Sequence, residues 1–151
     1  MTIDLATEEN LRKVLFAALK GNHSSFEQGL EALADKDSLL AACARATDLS
    51  ALMILEQYKG RPSTAAVSEI AEHAAEHNQW SSISPDEFRQ YIGAIFTATP
   101  LEQVLELGTA LRIPFVLCAH LLLSWHAPEE QAHEYLDRLW DILEEDGPRR
   151  S

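Results

Sequence analysis

The chain has 151 residues, of which 46% are hydrophobic and 24% are charged, so it is long enough to bury a core and is not expected to be disordered. Twelve lysine and arginine residues stand against 24 aspartate and glutamate residues, which gives a formal net charge of −12. This charge repels phosphate groups, so we expect no nucleic acid and no membrane surface as a partner, and it favours a basic protein instead.

Three features of the sequence bear on where the protein is located. Residues 1–9 have neither the basic nor the apolar segment of a signal peptide. The longest apolar run, residues 113–123, contains Pro114 and His120 and is shorter than the roughly 20 residues that span a bilayer. Cys43 and Cys118 lie apart in apolar runs, which is typical of reduced core cysteines. We therefore expect a cytoplasmic protein.

Helix signals follow one another along the first half of the chain. Apolar residues at helical spacing predict a first helix along Leu11, Val14, Leu15 and Ala18. Gly21 then has the position of a left-handed stop. The spacing of Ser24 and Glu27 is that of a capping box, which predicts that the second helix starts there. The segment from Leu49 to Tyr58 is apolar nearly all round, which predicts a helix surrounded by others, with Gly60 as its stop.

The second half of the chain continues the helical pattern. It contains two further capping boxes, Ser84 with Glu87 and Thr99 with Glu102. The segment from Phe115 to Trp125 is again apolar nearly all round. Pro114 leaves two possibilities, because it either separates two helices or kinks one long helix from Leu101 to Trp125. The last helix is predicted from a stripe formed by Ala132, Tyr135, Leu136, Leu139 and Leu143.

Together these elements predict an all-α fold, a compact bundle of about eight or nine short helices with the two apolar helices at its centre. We expect residues 1–146 to form a single domain and residues 147–151 to form a loose C-terminal tail. Three glycines at helical positions are expected to allow close packing of helices: Gly29, Gly93 and Gly108.

Candidate metal ligands lie in the segment from Glu69 to His77. His73 and His77 are four residues apart, so both imidazoles lie on one helical face and could share a metal ion. Glu69 lies one turn before His73 and adds a carboxylate. We expect a surface helix whose histidines border the core, with no cofactor, and the alternative is a site for zinc or another divalent metal.

His120 is the second candidate, because it lies inside a strongly apolar segment. A buried imidazole needs partners for both nitrogen atoms, and we expect Glu56, on the other apolar helix, to supply one of them. The pair would either act in acid–base or ligand-binding chemistry or be a satisfied polar contact in the core. The general pairing of buried polar groups favours the second interpretation.

The last helix carries a predicted interaction surface opposite its apolar stripe. Acidic side chains gather there, and a tryptophan and a histidine lie at the border as possible anchors. The surface consists of Glu130, His133, Glu134, Asp137, Trp140 and Asp141.

Two main functions remain open from the sequence, beside a third, a helical oligomer or scaffold. The first is a non-catalytic interaction protein that binds or inhibits a basic protein, as an immunity protein, an antitoxin-like inhibitor or an adaptor would. The second is a metal-dependent or small-ligand-binding helical protein that uses His73 and His77. We predict no catalytic residues, because neither the serine-nucleophile motif Gly-x-Ser-x-Gly nor a glycine-rich phosphate loop occurs.

Overall fold

Helices make up the regular structure of the computed structural model, which describes residues 4–33, 35–126 and 130–150. These residues form α1 (Leu5–Leu19), α2 (His23–Ala32), α3 (Lys36–Tyr58), α4 (Thr64–His77), α5 (Pro85–Thr97), α6 (Leu107–Ala110), α7 (Ile113–Trp125) and α8 (Ala132–Arg150). Two 3₁₀ turns, Gln79–Ser81 and Leu101–Gln103, lie between them, and the described ranges contain no strand. The all-α class is confirmed. Since α6 is a single turn, seven longer helices remain, slightly fewer than the eight or nine expected.

The predicted central helix from Phe115 to Trp125 is the core of the bundle. Residues 113–122 of α7 are all buried, and α7 contacts α1, α3, α4, α5, α6 and α8. Each large apolar side chain buried in this way contributes about 1.5–3 kcal/mol to stability.

The other apolar segment, from Leu49 to Tyr58, is enclosed on one side only. It is the second half of the 23-residue helix α3, which packs along α7. Leu55 and Tyr58 in its last turns are 38% and 37% exposed. α3 therefore contributes one face to the core and leaves apolar groups at the surface near its C-terminus.

Two segments, Lys36–Tyr58 and Leu107–Trp125, are long and apolar enough to cross a membrane by length and composition alone. In the second segment, residues 113–122 are buried against other helices of the same chain. A helix at the centre of a folded bundle needs the same composition, so burial accounts for the apolar character of this segment without a bilayer.

Pro114 separates two helices, which settles the alternative that the sequence leaves open. α6 ends at Ala110, a turn follows, and Pro114 lies in the first turn of α7. A proline is tolerated at this position because the first backbone N–H groups of a helix have no partner within the helix.

Only one of the three predicted capping boxes forms. The hydroxyl of Ser84 accepts from the backbone N–H of Glu87 at 3.1 Å, and the Glu87 carboxylate accepts from the backbone N–H of Ser84 at 2.9 Å. The Ser24 box does not form, because α2 begins two residues earlier, with Asn22 as its cap. The Thr99 box also does not form, because the residues after Pro100 make a 3₁₀ turn without a side-chain cap.

α4 is placed so that one face is buried and the other is open to solvent. Its buried residues are Ala66, Ile70, Ala71 and Ala74, and they pack on α5 and α7. Residues 69, 72, 73, 76 and 77 are exposed on the other side.

At the opposite end of the chain, α8 is helical to Arg150, so the predicted loose tail begins within a helix, and Ser151 lies outside the described residues.

Candidate functional site

Three histidines from two helices meet beside the core: His73 and His77 on α4, and His120 on α7. Nδ1 of His73 lies 2.9 Å from Nε2 of His120. The ring centroids of His73 and His77 are 4.0 Å apart, as expected for residues one turn apart on one face. The structure therefore brings the predicted histidine pair together with His120, the candidate that the sequence analysis treats separately.

Asn78, the residue after α4, fixes the orientation of this histidine cluster. Its buried amide nitrogen donates to the backbone carbonyl of Ala74 at 2.8 Å, and that carbonyl can only accept. Its amide oxygen accepts from the indole N–H of Trp80 at 3.3 Å, and that group can only donate. The atom of Asn78 that lies 3.2 Å from Nδ1 of His120 is therefore the amide nitrogen.

This orientation assigns a proton position to each imidazole. Nδ1 of His120 accepts from Asn78, so His120 carries its proton on Nε2 and donates it to Nδ1 of His73. His73 then carries its own proton on Nε2. His77 donates from Nδ1 to the backbone carbonyl of His73 at 3.0 Å. The result is a directed chain of hydrogen bonds from Trp80 through Asn78 and His120 to His73.

The environment of His120 keeps its imidazole uncharged. Burial, with smaller contributions from His73 and His77, lowers the pKa of His120 from 6.5 to about 4. Protonation at Nδ1 would also turn two donors toward each other, because that atom accepts from Asn78. These contacts support the interpretation of His120 as a satisfied polar residue in the core.

The structure does not bring Glu56 to His120. Glu56 is exposed and lies 3.9 Å from Arg138 of α8. His120 instead faces α4 and the turn that follows it, where His73 and Asn78 satisfy both of its nitrogen atoms. Asn78 takes the place of the partner expected on α3, and no pattern in the sequence points to Asn78.

A groove of about 340 Å³ opens between α3, α4 and α7 next to this cluster. Its floor is formed by buried residues, Ile70, His120 and Leu121. Its rim is polar and aromatic, and consists of Tyr58, Glu69, His73, Ser124 and Trp125. A concave site of this size with an apolar floor and a few polar groups has the usual features of a small binding pocket.

The rim of the groove combines two aromatic rings with a negative charge. The rings of Tyr58 and Trp125 meet edge to face, with centroids 6.0 Å apart. Burial and the charge of Glu69 raise the pKa of Tyr58, which places that carboxylate within electrostatic reach of the phenol. Among the described residues that line the groove, none is a lysine or an arginine.

The metal site at Glu69, His73 and His77 stays a prediction. All three residues lie on the exposed side of α4, as expected from their spacing. Within the described residues, no group of three His, Cys, Asp or Glu side chains is arranged to hold a metal ion. A metal at the pair would have to bind Nε2 of His73, where the hydrogen-bond chain places a proton.

The predicted interaction surface of α8 is partly neutralised within the chain. Asp137 accepts from Arg12 of α1 at 2.7 Å, and Glu130 pairs with Arg138 at 3.4 Å. Trp140 is not an exposed anchor, because it is only 4% exposed and packs in the core. Three members of the predicted surface remain at the exterior without an ion pair in the described structure: His133, Glu134 and Asp141.

A second acidic surface lies on α4, and we call Glu69, Glu72 and Glu76 the α4 acidic stripe. These residues follow each other at helical spacing and are all exposed. No lysine or arginine in the described parts of the chain forms an ion pair with any of them. The stripe borders the groove at Glu69 and runs away from it along the helix.

The cysteines do not add a nucleophile to this region. Both are free, with Cys118 buried and Cys43 half-buried. Burial raises the pKa of each thiol to about 12, so neither is a thiolate at neutral pH.

Comparison with protein-family models, with curated proteins and with solved structures gave no match to this chain.

Proposed function

We propose that this chain is a small acidic helical module that binds a basic protein through the exposed face of α4. The observation that carries the proposal is the α4 acidic stripe, where three carboxylates on one face have no internal counter-ion in the described structure. On α8, by contrast, Arg12 and Arg138 already neutralise part of the acidic surface. Charges left uncompensated in the free chain are those that a cationic partner can pair.

The overall charge of the chain supports the same kind of partner. With 24 acidic and 12 basic residues, the chain attracts cationic surfaces over a Debye length of about 8 Å at physiological salt. The binding face replaces the one proposed from the sequence, since Trp140 packs inside the bundle and cannot anchor a partner.

The hydrogen bonds of the histidine cluster favour this function over the metal-dependent alternative. Nδ1 of His73 and Nδ1 of His77 are both engaged, and a metal at Nε2 of His73 would require the chain from Asn78 to reverse its donors. A thermal-shift measurement with zinc and with EDTA separates the alternatives, because only the metal-dependent function predicts a shift.

Matched pairs of neutral variants test the proposal by affinity capture from native lysate at low and high salt. Glu72→Gln/Glu76→Gln removes two charges from α4, and Glu134→Gln/Asp141→Asn removes two from α8. We expect the unmodified chain to retain a protein with a basic isoelectric point at low salt and to release it at high salt. The α4 variant should weaken retention roughly 2- to 30-fold, as expected for two exposed charges, while the α8 variant changes it little.

Two outcomes of this capture experiment would overturn the proposal. One is that no basic protein is enriched at low salt. The other is that the α8 variant loses the partner while the α4 variant keeps it, which would return the interface to the last helix.

A further inference from the structure

From the groove between α3, α4 and α7 we infer that this site receives one lysine or arginine side chain of the basic partner. The inference rests on the proposed function. It says which group of the partner binds beside Glu69, where the α4 acidic stripe meets the groove. The groove supplies what such a side chain requires, namely an apolar floor for its methylene groups, aromatic faces, and a carboxylate for its charged end.

The floor of the groove matches the stem of a long basic side chain. Ile70 and Leu121 are buried and apolar, and both line the groove. Lysine and arginine side chains bury their methylene groups on such surfaces and keep the charged group at the rim. A volume of about 340 Å³ is sufficient for one side chain of this length.

The rim matches the charge of that side chain. Tyr58 and Trp125 line the opening, and a cation is attracted to the face of a tryptophan or tyrosine ring. Glu69 provides the carboxylate on the facing helix. His120 and His73 add no positive charge here. Nδ1 of His73 accepts a hydrogen bond from Nε2 of His120, so each of these two rings holds a single proton.

No lysine or arginine of the described residues lines the groove, so the inferred cation is one that a partner supplies. Arg61, which follows α3 in sequence, donates to the backbone carbonyl of Phe96 at the end of α5 instead of entering the groove. The α4 acidic stripe continues from Glu69 to Glu72 and Glu76, about 10 Å along the helix at a rise of 1.5 Å per residue. A polypeptide with several basic residues fits both the groove and the stripe.

The experiment uses the three tryptophans of the full chain as internal reporters. Trp125 lies at the groove, whereas Trp80 and Trp140 lie elsewhere, so their indole N–H signals distinguish the site in a ¹H–¹⁵N spectrum. The probe is a blocked heptapeptide in which alanine and lysine alternate, compared with the same peptide carrying acetylated lysines and with spermidine. We expect the lysine peptide to shift the Trp125 signal and to leave the Trp140 signal in place.

Two single variants on the same helix provide the matched comparison. Glu69→Gln changes the groove, and Glu72→Gln changes the stripe by the same charge without lining the groove. Both side chains are exposed, so both variants are expected to fold. We expect Glu69→Gln to weaken peptide binding at least fivefold and Glu72→Gln to weaken it less than twofold.

Three other results are possible, and each contradicts a different part of the inference. If the peptide binds while the two variants behave alike and the Trp125 signal does not move, the groove assignment is wrong and the acidic module stands. If the lysine peptide does not bind even at low salt, the proposed function fails as well. If spermidine shifts the Trp125 signal as strongly as the peptide does, the occupant is a small polyamine, not a protein side chain.

Discussion

The amide of Asn78 determines the protonation pattern of two histidines that lie on different helices. Its neighbours Ala74 and Trp80 leave it one orientation, and this orientation makes Nδ1 of His120 an acceptor. His120 must therefore be neutral in the folded protein while it can be charged in the unfolded chain. The contact links folding to proton binding.

We expect the stability of the protein to fall as the pH drops from about 6.5 toward 4. The pKa of His120 is about 4 in the folded state and about 6.5 when exposed, so the unfolded chain binds the extra proton in this window. The sign follows, because protons bound only by the unfolded state favour unfolding. The loss contributed by His120 is on the order of 3 kcal/mol and is complete below the folded-state pKa.

Urea unfolding at several pH values measures this effect, and His120→Gln is the control. The variant is less stable at neutral pH because it disturbs the contacts of His73 and Asn78, but it lacks the titrating group. Its free energy of unfolding should therefore decline less steeply between pH 6.5 and 4. Equal slopes for the two proteins would show that other groups cause the pH dependence.

A second prediction about single residues compares alanine substitutions at Gly29 and Gly93. A Cβ atom at Gly29 would lie 2.7 Å from Cγ2 of Val14, whereas nothing lies within 4 Å of the same position at Gly93. We expect Gly29→Ala to destabilise the fold by about 1–3 kcal/mol through overpacking between α1 and α2. Gly93→Ala should stabilise it by up to about 1 kcal/mol, because alanine is the better helix former. Thermal unfolding of both variants checks the contrast, and a loss at both positions would refute it.

The sequence places these glycines in helices, but it does not show which of them lies against another helix. All three helical glycines were expected to allow close packing, and only Gly29 lies against another helix at short range. The distinction depends on which turn of α2 crosses α1. Local spacing does not contain that information, because it is set by the tertiary packing of both helices.

Among the helices, α8 is attached through a tryptophan that lies between two arginines. The guanidinium carbon of Arg12 is 5.0 Å from the ring centroid of Trp140, and that of Arg45 is 4.7 Å from it. The indole N–H donates to the carboxylate of Glu144 at 3.2 Å. Since Arg12 belongs to α1 and Arg45 to α3, this one side chain connects three helices.

We expect Trp140→Ala to destabilise the protein by about 3–5 kcal/mol, the usual cost of removing a buried tryptophan. His133→Ala on the same helix is the matched control. His133 is exposed, so its replacement should change the stability by less than about 0.5 kcal/mol. Urea unfolding of both variants measures the difference. Similar stabilities would mean that α8 is held mainly by other contacts.

The contrast between the capping boxes shows where element boundaries can be read from sequence. The Ser84 box is local, and both of its hydrogen bonds form between residues three apart. At the start of α2, Glu27 instead binds Arg112 through both carboxylate oxygens, at 2.9 and 3.0 Å. Arg112, 85 positions away in the sequence, binds the carboxylate that the capping box would use. No local sequence pattern indicates this contact.

At the scale of the whole molecule, the net charge of −12 acts against the compact state. We expect added sodium chloride to raise the free energy of unfolding at neutral pH. Going from 0.01 to 0.1 M salt shortens the Debye length from roughly 30 to roughly 10 Å, which screens repulsion between carboxylates on different helices. Exposed ion pairs are screened as well, but each contributes only about 0–1 kcal/mol.

Urea unfolding at increasing salt tests this prediction. A variant with Glu72, Glu76 and Glu134 changed to Gln and with Asp141→Asn carries a net charge of −8, because four of the acidic residues are neutralised. Its stability should depend less on salt than that of the unmodified chain. A stability that falls with added salt would indicate that internal ion pairs outweigh the repulsion.

The sequence predicted more of the fold than of the site. Periodicity identified the apolar segment that became α7, and the spacing of His73 and His77 correctly placed both on one face. The meeting with His120, and the groove beside Trp125, require α3, α4 and α7 to be assembled. Asn78 has no signature at all, because its role depends on three neighbours from two parts of the chain.

The place of α7 in the chain has a consequence for synthesis on the ribosome. The helix that six of the other seven contact is the seventh of the eight described α-helices and is completed only at Trp125. The end of α1, at Leu19, is translated 106 residues earlier, and a rate of roughly 5–20 residues per second makes that an interval of about 5–20 seconds. Throughout this interval the faces of α1 and α3 that pack on α7 in the folded protein have no α7 to bury them. The nascent chain therefore exposes apolar surface until α7 has been synthesised.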